Sequence, residues 1–239
     1  SKNLFKLKPE SISKWFSVNV NYINRNLVPI PLGIASFRNT KSTIAKDFFP
    51  LEKIKKSEFL YVNFNLNTNY IHRHRAKKYA LKKVNVDLVS NTDYERYVSI
   101  LRKHKFVLCP WGNGFDTHRF WETIYAGSIP VTQKHNIFES FIDIPMVLLD
   151  DYKKIQILRK INLSQNFNYE KLQISWWINL IDSIKIVSNE QPINFNFSAK
   201  DVESLLNQVR ILRIKQQRVK NLKTFVRKVY SKINIVHKI

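Results

Sequence analysis

One stretch of the sequence concentrates groups able to do chemistry: residues 105–132, KFVLCPWGNGFDTHRFWETIYAGSIPVT. An apolar run ends at Cys109, the loop Gly112-Asn113-Gly114 follows, and a helix is expected over residues 117–125. Glycines let a backbone approach a ligand closely and adopt positive φ. A helix start offers unpaired N–H groups and a positive dipole end to an anion. Together they make a plausible diphosphate seat, although the same pattern also fits an ordinary tight turn. His118, Arg119 and Glu122 lie within four residues and share one broad helix face. A guanidinium at Arg119 could neutralise a leaving diphosphate, and a carboxylate at Glu122 could accept both hydroxyls of a ribose. The alternative for Arg119 and Glu122 is a surface ion pair, worth roughly a few tenths of a kcal/mol.

The elements that must position these groups follow from hydrophobic patterning. Short apolar runs at 59–64, 106–109, 129–132 and 146–149 read as strands. Residues 70–83 form a basic helix candidate, and residues 93–104 a helix capped by Asn91 or Thr92. Residues 84–89 alternate apolar and polar side chains, Gly127 suits a left-handed C-terminal cap, and residues 169–187 give a long amphipathic helix carrying Trp176 and Trp177. Asp150-Asp151 is expected to end a strand and cap the next helix. Strands alternating with helices imply crossovers and a parallel sheet. The expected architecture is an α/β, doubly wound, Rossmann-like sheet flanked by helices over residues 57–190. Ligands of such sheets bind outside the carboxyl ends of the strands, at a switch in strand order. Before it, residues 1–56 read as a reduced segment and linker, with a short helix at 11–17 and a proline-punctuated edge or linker at 28–34. Residues 191–239 read as a basic amphipathic helical tail.

Composition narrows the class. Forty Lys+Arg against eighteen Asp+Glu give a net charge of +22, a field that favours polyanions, anionic membrane faces or phosphorylated ligands. Eleven basic and two acidic residues fall in 198–239, and six basic residues with no acidic one in 73–83. The single Cys109 excludes an internal disulfide framework and a multi-thiolate zinc site; it is expected to be a buried small hydrophobe. No run approaches 18 apolar residues, and residues 1–20 are too interrupted by charge for a signal peptide. The expected location is cytoplasmic, with peripheral membrane contact. The opening Ser1 suggests a chain processed or excised from a longer one.

The stretch GNGFDTHRFWETIYAGSIPV, preceded by FVLCP, resembles the signature of exostosin-like glycosyltransferases, including bacterial and large-virus relatives. PIPLG (29–33) and LYVNFNLNTNYIHR (60–73) are similar to further pieces of that family. The resemblance implies the donor-binding half of a GT-B enzyme and a sugar-nucleotide substrate. It carries over Arg119 as the diphosphate contact and Glu122 as the ribose contact. Asn113, Gly114, Asp116 and His118 become the lining of the donor-sugar pocket, and Arg73 a second diphosphate candidate beside the reading of a solvated helix face. Trp111 stands where relatives often carry Arg. Too few residues precede the donor domain for a full acceptor domain, so that half is reduced, supplied by a partner, or missing from a fragment.

Inverting transfer needs a base to deprotonate the acceptor hydroxyl. Asp116 and His118 are the loop candidates, with Asp116 first; Asp116 could equally cap the following turn. The sequence contains no Asp-x-Asp, so no metal is expected and Arg with the helix dipole carries the diphosphate charge. His72-x-His74 lacks a nearby carboxylate or thiolate and reads as solvated. The tail over 199–239, with helically spaced apolar residues among Lys and Arg, suits an anionic membrane surface where lipid-linked acceptors reside; packing back on the domain is its alternative. The functional expectation is metal-independent transfer from a nucleotide-diphosphate sugar to a glycan or lipid-linked acceptor. The competing reading is a non-catalytic module binding nucleic acid or acidic polysaccharide, against which the gathering of polar residues in one loop–helix pocket argues; nucleic acid is not the expected partner.

Overall fold

The computed structural model describes residues 5–6, 12–35, 55–84, 86, 88, 94–162 and 167–184, with ten residues between 207 and 224. Its contacts divide into two units, Lys14–Asn179 and a second made of Ser1–Ser13 with Leu180–Ile239. The first unit is an α/β domain. Two short strands, β1 (Trp15–Ser17) and β2 (Leu27–Pro29), pair in parallel. The main sheet holds β3 (Glu58–Tyr61), β4 (His104–Leu108), β5 (Ile129–Gln133) and β6 (Val147–Leu149), all parallel and in that spatial order. Helices α1 (Tyr70–Lys83), α2 (Tyr94–Lys103) and α3 (His118–Tyr125) join them, and α4 (Ile174–Ile184) follows.

The strands read as almost unbroken apolar runs because both faces of the sheet are covered. On one face Val98 and Leu101 of α2 pack with Phe120, Trp121 and Ile124 of α3 and with Phe138 and Phe141. On the other, Ala76 and Ala80 of α1 meet Leu60, Phe106 and Leu108, beside Tyr152, Ile155 and Leu158. Alanines at i and i+4 let α1 lie close to the sheet. The last three residues belong to a 3-10 helix, Tyr152–Lys160, whose burial at every third position matches its three-residue turn. Pro130 sits in an interior strand without breaking the ladder, because pairing with β6 begins one residue later, at Val131.

Several expectations meet a different outcome. The segment expected as a helix at 11–17 contains strand β1, since Trp15 and Phe16 have β2 to pair with. Residues 84, 86 and 88 form no strand: Val84 instead closes α1. The helix expected over 169–187 is split into a 3-10 turn, Glu170–Leu172, and α4. The strand order follows the chain, so the described strands contain no reversal and no switch point. Residues 14–35 belong to the same unit as the sheet rather than to a separate segment. Asn91, Thr92 and most of the tail lie outside the described residues; those described between 207 and 224 are helical and exposed. Gly127, at φ +72°, ends α3 as anticipated, and Asp151 caps the 3-10 helix by accepting from Lys153 N–H at 2.8 Å.

An L side chain at a left-handed cap costs conformational energy even where space is open, as it is here. Gly127→Ala should therefore lower the unfolding free energy by about 1 kcal/mol, read as a lower urea midpoint at unchanged slope.

Candidate functional site

The carboxyl ends of β3 and β4 open onto a cleft of about 460 Å³. Its walls come from three places: the 64–73 segment after β3, the 112–119 loop and helix start after β4, and Asn19 and Leu32 beside β1 and β2. Among the residues expected to act, Arg73, Gly112, Asn113, Gly114, Asp116, His118 and Arg119 all line it. Glu122 does not.

The loop is shaped by close contacts rather than by flexibility. An added Cβ on Gly114 would stand 2.1 Å from Asn19 Oδ1, and one on Gly112 would stand 2.9 Å from Arg73 Nη2. Asn19 itself adopts φ 51°, a left-handed conformation that Asn tolerates better than most residues. That turn aims its Oδ1 at the Asp116 N–H, 2.8 Å away.

Asp116 was the first choice for a base, and the structure gives its oxygens other work. Oδ2 accepts from Leu32 N–H at 2.8 Å and Oδ1 from Trp121 Nε1 at 2.6 Å, with only 3% of the residue exposed. Burial lifts its pKa from the ordinary 3.8 to about 6, against the lowering effect of those donors. His118 is exposed, and its Nδ1 lies 2.9 Å from the Gly33 carbonyl oxygen. A carbonyl only accepts, so Nδ1 donates the hydrogen of this contact, which leaves Nε2 as the ring nitrogen outside it.

Arg119 reaches down from the cleft wall. Its Cζ lies 4.9 Å over the Tyr97 ring, and its Nη1 is sealed from solvent with no hydrogen-bond partner among the described residues. Burial opposes its charge, but Tyr97 and Glu122 more than offset this, and its pKa lies above the ordinary value. Glu122 is buried and accepts from Tyr97 OH at 2.7 Å, so it supports Arg119 from below instead of facing a ligand. Thr117, at the N-cap of α3, makes no side-chain cap bond, and its Oγ1 is a second buried group without a partner among the described residues.

Arg73 is half-buried, not a solvated helix residue. Nε donates to the Trp111 carbonyl at 3.0 Å and Nη1 to the Asn65 carbonyl at 2.7 Å, which sets the guanidinium against the glycine loop. Trp111 stacks on His72 at 4.5 Å. His72 also meets Tyr152 OH at 3.2 Å, and burial lowers its pKa to about 4. It is an aromatic packing partner and not the solvated residue expected. Cys109 is buried, with its thiol pushed up to about 12 by burial.

Sequence reasoning missed Asn19, Leu32, Phe64, Asn65, Thr68 and Thr117 as cleft residues. Asn65 had a readable signal: Asn65-x-Asn67 is an Asx turn, with Oδ1 accepting from Asn67 N–H at 2.9 Å. No protein-family model matches the chain, and no curated protein is significantly similar to it.

Two outcomes follow. Gly114→Ala should destabilise by about 1–3 kcal/mol through overpacking, and adding Asn19→Gly should recover part of that loss in a double-mutant cycle followed by urea denaturation. For Asp116, the native carboxyl holds its proton up to about pH 6 while an unfolded one releases it near 3.8. The native state thus binds more protons between those values, and stability falls as pH rises through them. Relative to Asp116→Asn, the wild type should lose up to about 3 kcal/mol between pH 4 and 7, read from urea midpoints at stepped pH.

Proposed function

We propose that the chain is the donor-binding part of a GT-B glycosyltransferase that transfers a sugar from a nucleotide-diphosphate donor to a glycan or lipid-linked acceptor. The observation that supports this reading is a pair of buried groups, Arg119 Nη1 and Thr117 Oγ1, that have no hydrogen-bond partner among the described residues, beside the start of α3. Native proteins rarely leave such groups unsatisfied, and both belong to residues that line a cleft also walled by Arg73. Two guanidiniums, a hydroxyl and a helix start suit an anion of diphosphate size. The resemblance of residues 105–132 to exostosin-like enzymes supplies the sugar.

In this reading Arg119 and Arg73 neutralise the diphosphate as it departs, and such preorganised charges act most strongly where charge develops. His118 Nε2 takes the proton of the acceptor hydroxyl while that oxygen forms its bond to the anomeric carbon. The bond from that carbon to the diphosphate oxygen breaks on the opposite face, and configuration inverts. Asp116 holds the loop, and Glu122 acts through Tyr97 and Arg119 as a positioning residue. The lack of Asp-x-Asp in the sequence supports a diphosphate held by arginine instead of a cation bridge. An acceptor-binding half would come from elsewhere, and the basic segment 199–239 would draw the enzyme to membranes bearing lipid-linked acceptors.

Calorimetric titration of UDP, GDP and their sugar conjugates tests this. One nucleotide series should give saturable heat, weakened roughly a hundredfold in Arg119→Ala, in line with the loss of a buried charge-assisted contact. His118→Ala should leave that affinity within about twofold and lower turnover by about 10²–10⁴. Absence of saturable heat across the whole panel would overturn the reading.

A further inference from the structure

A second surface lies on the outside of α1 and the 3-10 helix Tyr152–Lys160. The two run side by side over the same face of the sheet: His72 meets Tyr152, Arg75 pairs with Asp151, and Arg159 Nη2 donates to the Lys83 carbonyl at 3.1 Å. Their inward stripes are spent on the core, Ala76 and Ala80 on one and Tyr152, Ile155 and Leu158 on the other. What faces outward is basic. Arg75, Lys78 and Lys82 on α1 and Lys153, Arg159 and Lys160 on its neighbour are all exposed. Neither helix contains an acidic residue. The acids at the edge, Asp150 and Asp151, are engaged by Lys154 and Arg75.

Three branched aliphatic side chains project among these cations: Ile71 is 59% exposed, Leu81 48% and Ile157 48%. On α1 they fall on one outward line, Ile71, His74, Lys78, Leu81, at helical spacing. Cations alone would suit any phosphate polymer. Aliphatic tips set among cations suit a layer whose phosphates lie above hydrocarbon, since each tip can then leave water.

We propose that this face docks on an anionic lipid surface, its lysines and arginines among the headgroup phosphates and Ile71, Leu81 and Ile157 inserted beneath them. The surface uses no residue of the donor proposal except through their shared helix α1, and it is distinct from segment 199–239. Its test reads lipid binding and not sugar transfer, so either proposal can fail alone.

Co-sedimentation of the full chain with vesicles decides it. Wild type should bind mixed phosphatidylcholine–phosphatidylglycerol vesicles and not pure phosphatidylcholine. The triple variant Ile71→Ser, Leu81→Ser, Ile157→Ser should lose about tenfold in partitioning, as expected when buried aliphatic groups are removed from an interfacial element. Unchanged near-ultraviolet circular dichroism establishes that it is folded; should it unfold, Lys78→Glu with Lys82→Glu should weaken binding to the phosphatidylglycerol vesicles by about tenfold while segment 199–239 stays intact, and unchanged binding by that variant would overturn the proposal. A folded triple variant that sediments like wild type would overturn the proposal, as would equal binding to neutral vesicles. Tighter binding to duplex RNA, indifferent to the aliphatic substitutions, would instead assign the face to nucleic acid and overturn it too.

Discussion

The carboxylate of Asp116 is the constraint on which the cleft depends. A buried carboxylate needs donors, because its desolvation costs several kcal/mol when they are missing. Here they come from opposite directions, Leu32 N–H beside β2 and the Trp121 indole in the core of α3. The same residue's N–H is held by Asn19, beyond β1. The segment around Asn19 and Leu32 and the start of α3 therefore meet at one residue. The loop between β4 and α3 takes its shape from that meeting, with His118 clasping Gly33 one residue further on.

Around this anchor the site gathers positive charge, and each charge is supported separately. Arg73 is held by the carbonyls of Asn65 and Trp111. Arg119 lies over the Tyr97 ring, which in turn donates to Glu122 beneath it. Both guanidiniums belong to residues that line the cleft.

The parallel sheet and the helix α1 were legible because buried parallel strands and helices leave continuous apolar runs and clear stops, whereas the strand order, which follows the chain without the expected switch, was not. The glycine loop and Arg119 were legible for a similar reason: closely spaced special residues announce a turn before a helix. Glu122 was misassigned because spacing places it on the right helix face but says nothing of depth, and only the contact with Tyr97 reveals that it looks inward. Asp116 could not be separated into base or anchor without knowing that Leu32 and Trp121 approach it. Residues 14–35 were opaque because their strands are three residues each and gain their form from each other and from the loop, not from local pattern.

The contact between Gly114 and Asn19 also bears on how this sequence can drift. A Cβ at position 114 would run into the Asn19 side-chain amide, so a larger residue there requires that side chain to move or shrink. Among descendants of this chain, a side chain at 114 should be found only where position 19 has shrunk. Ninety-five residues apart in the chain, the two positions share one space.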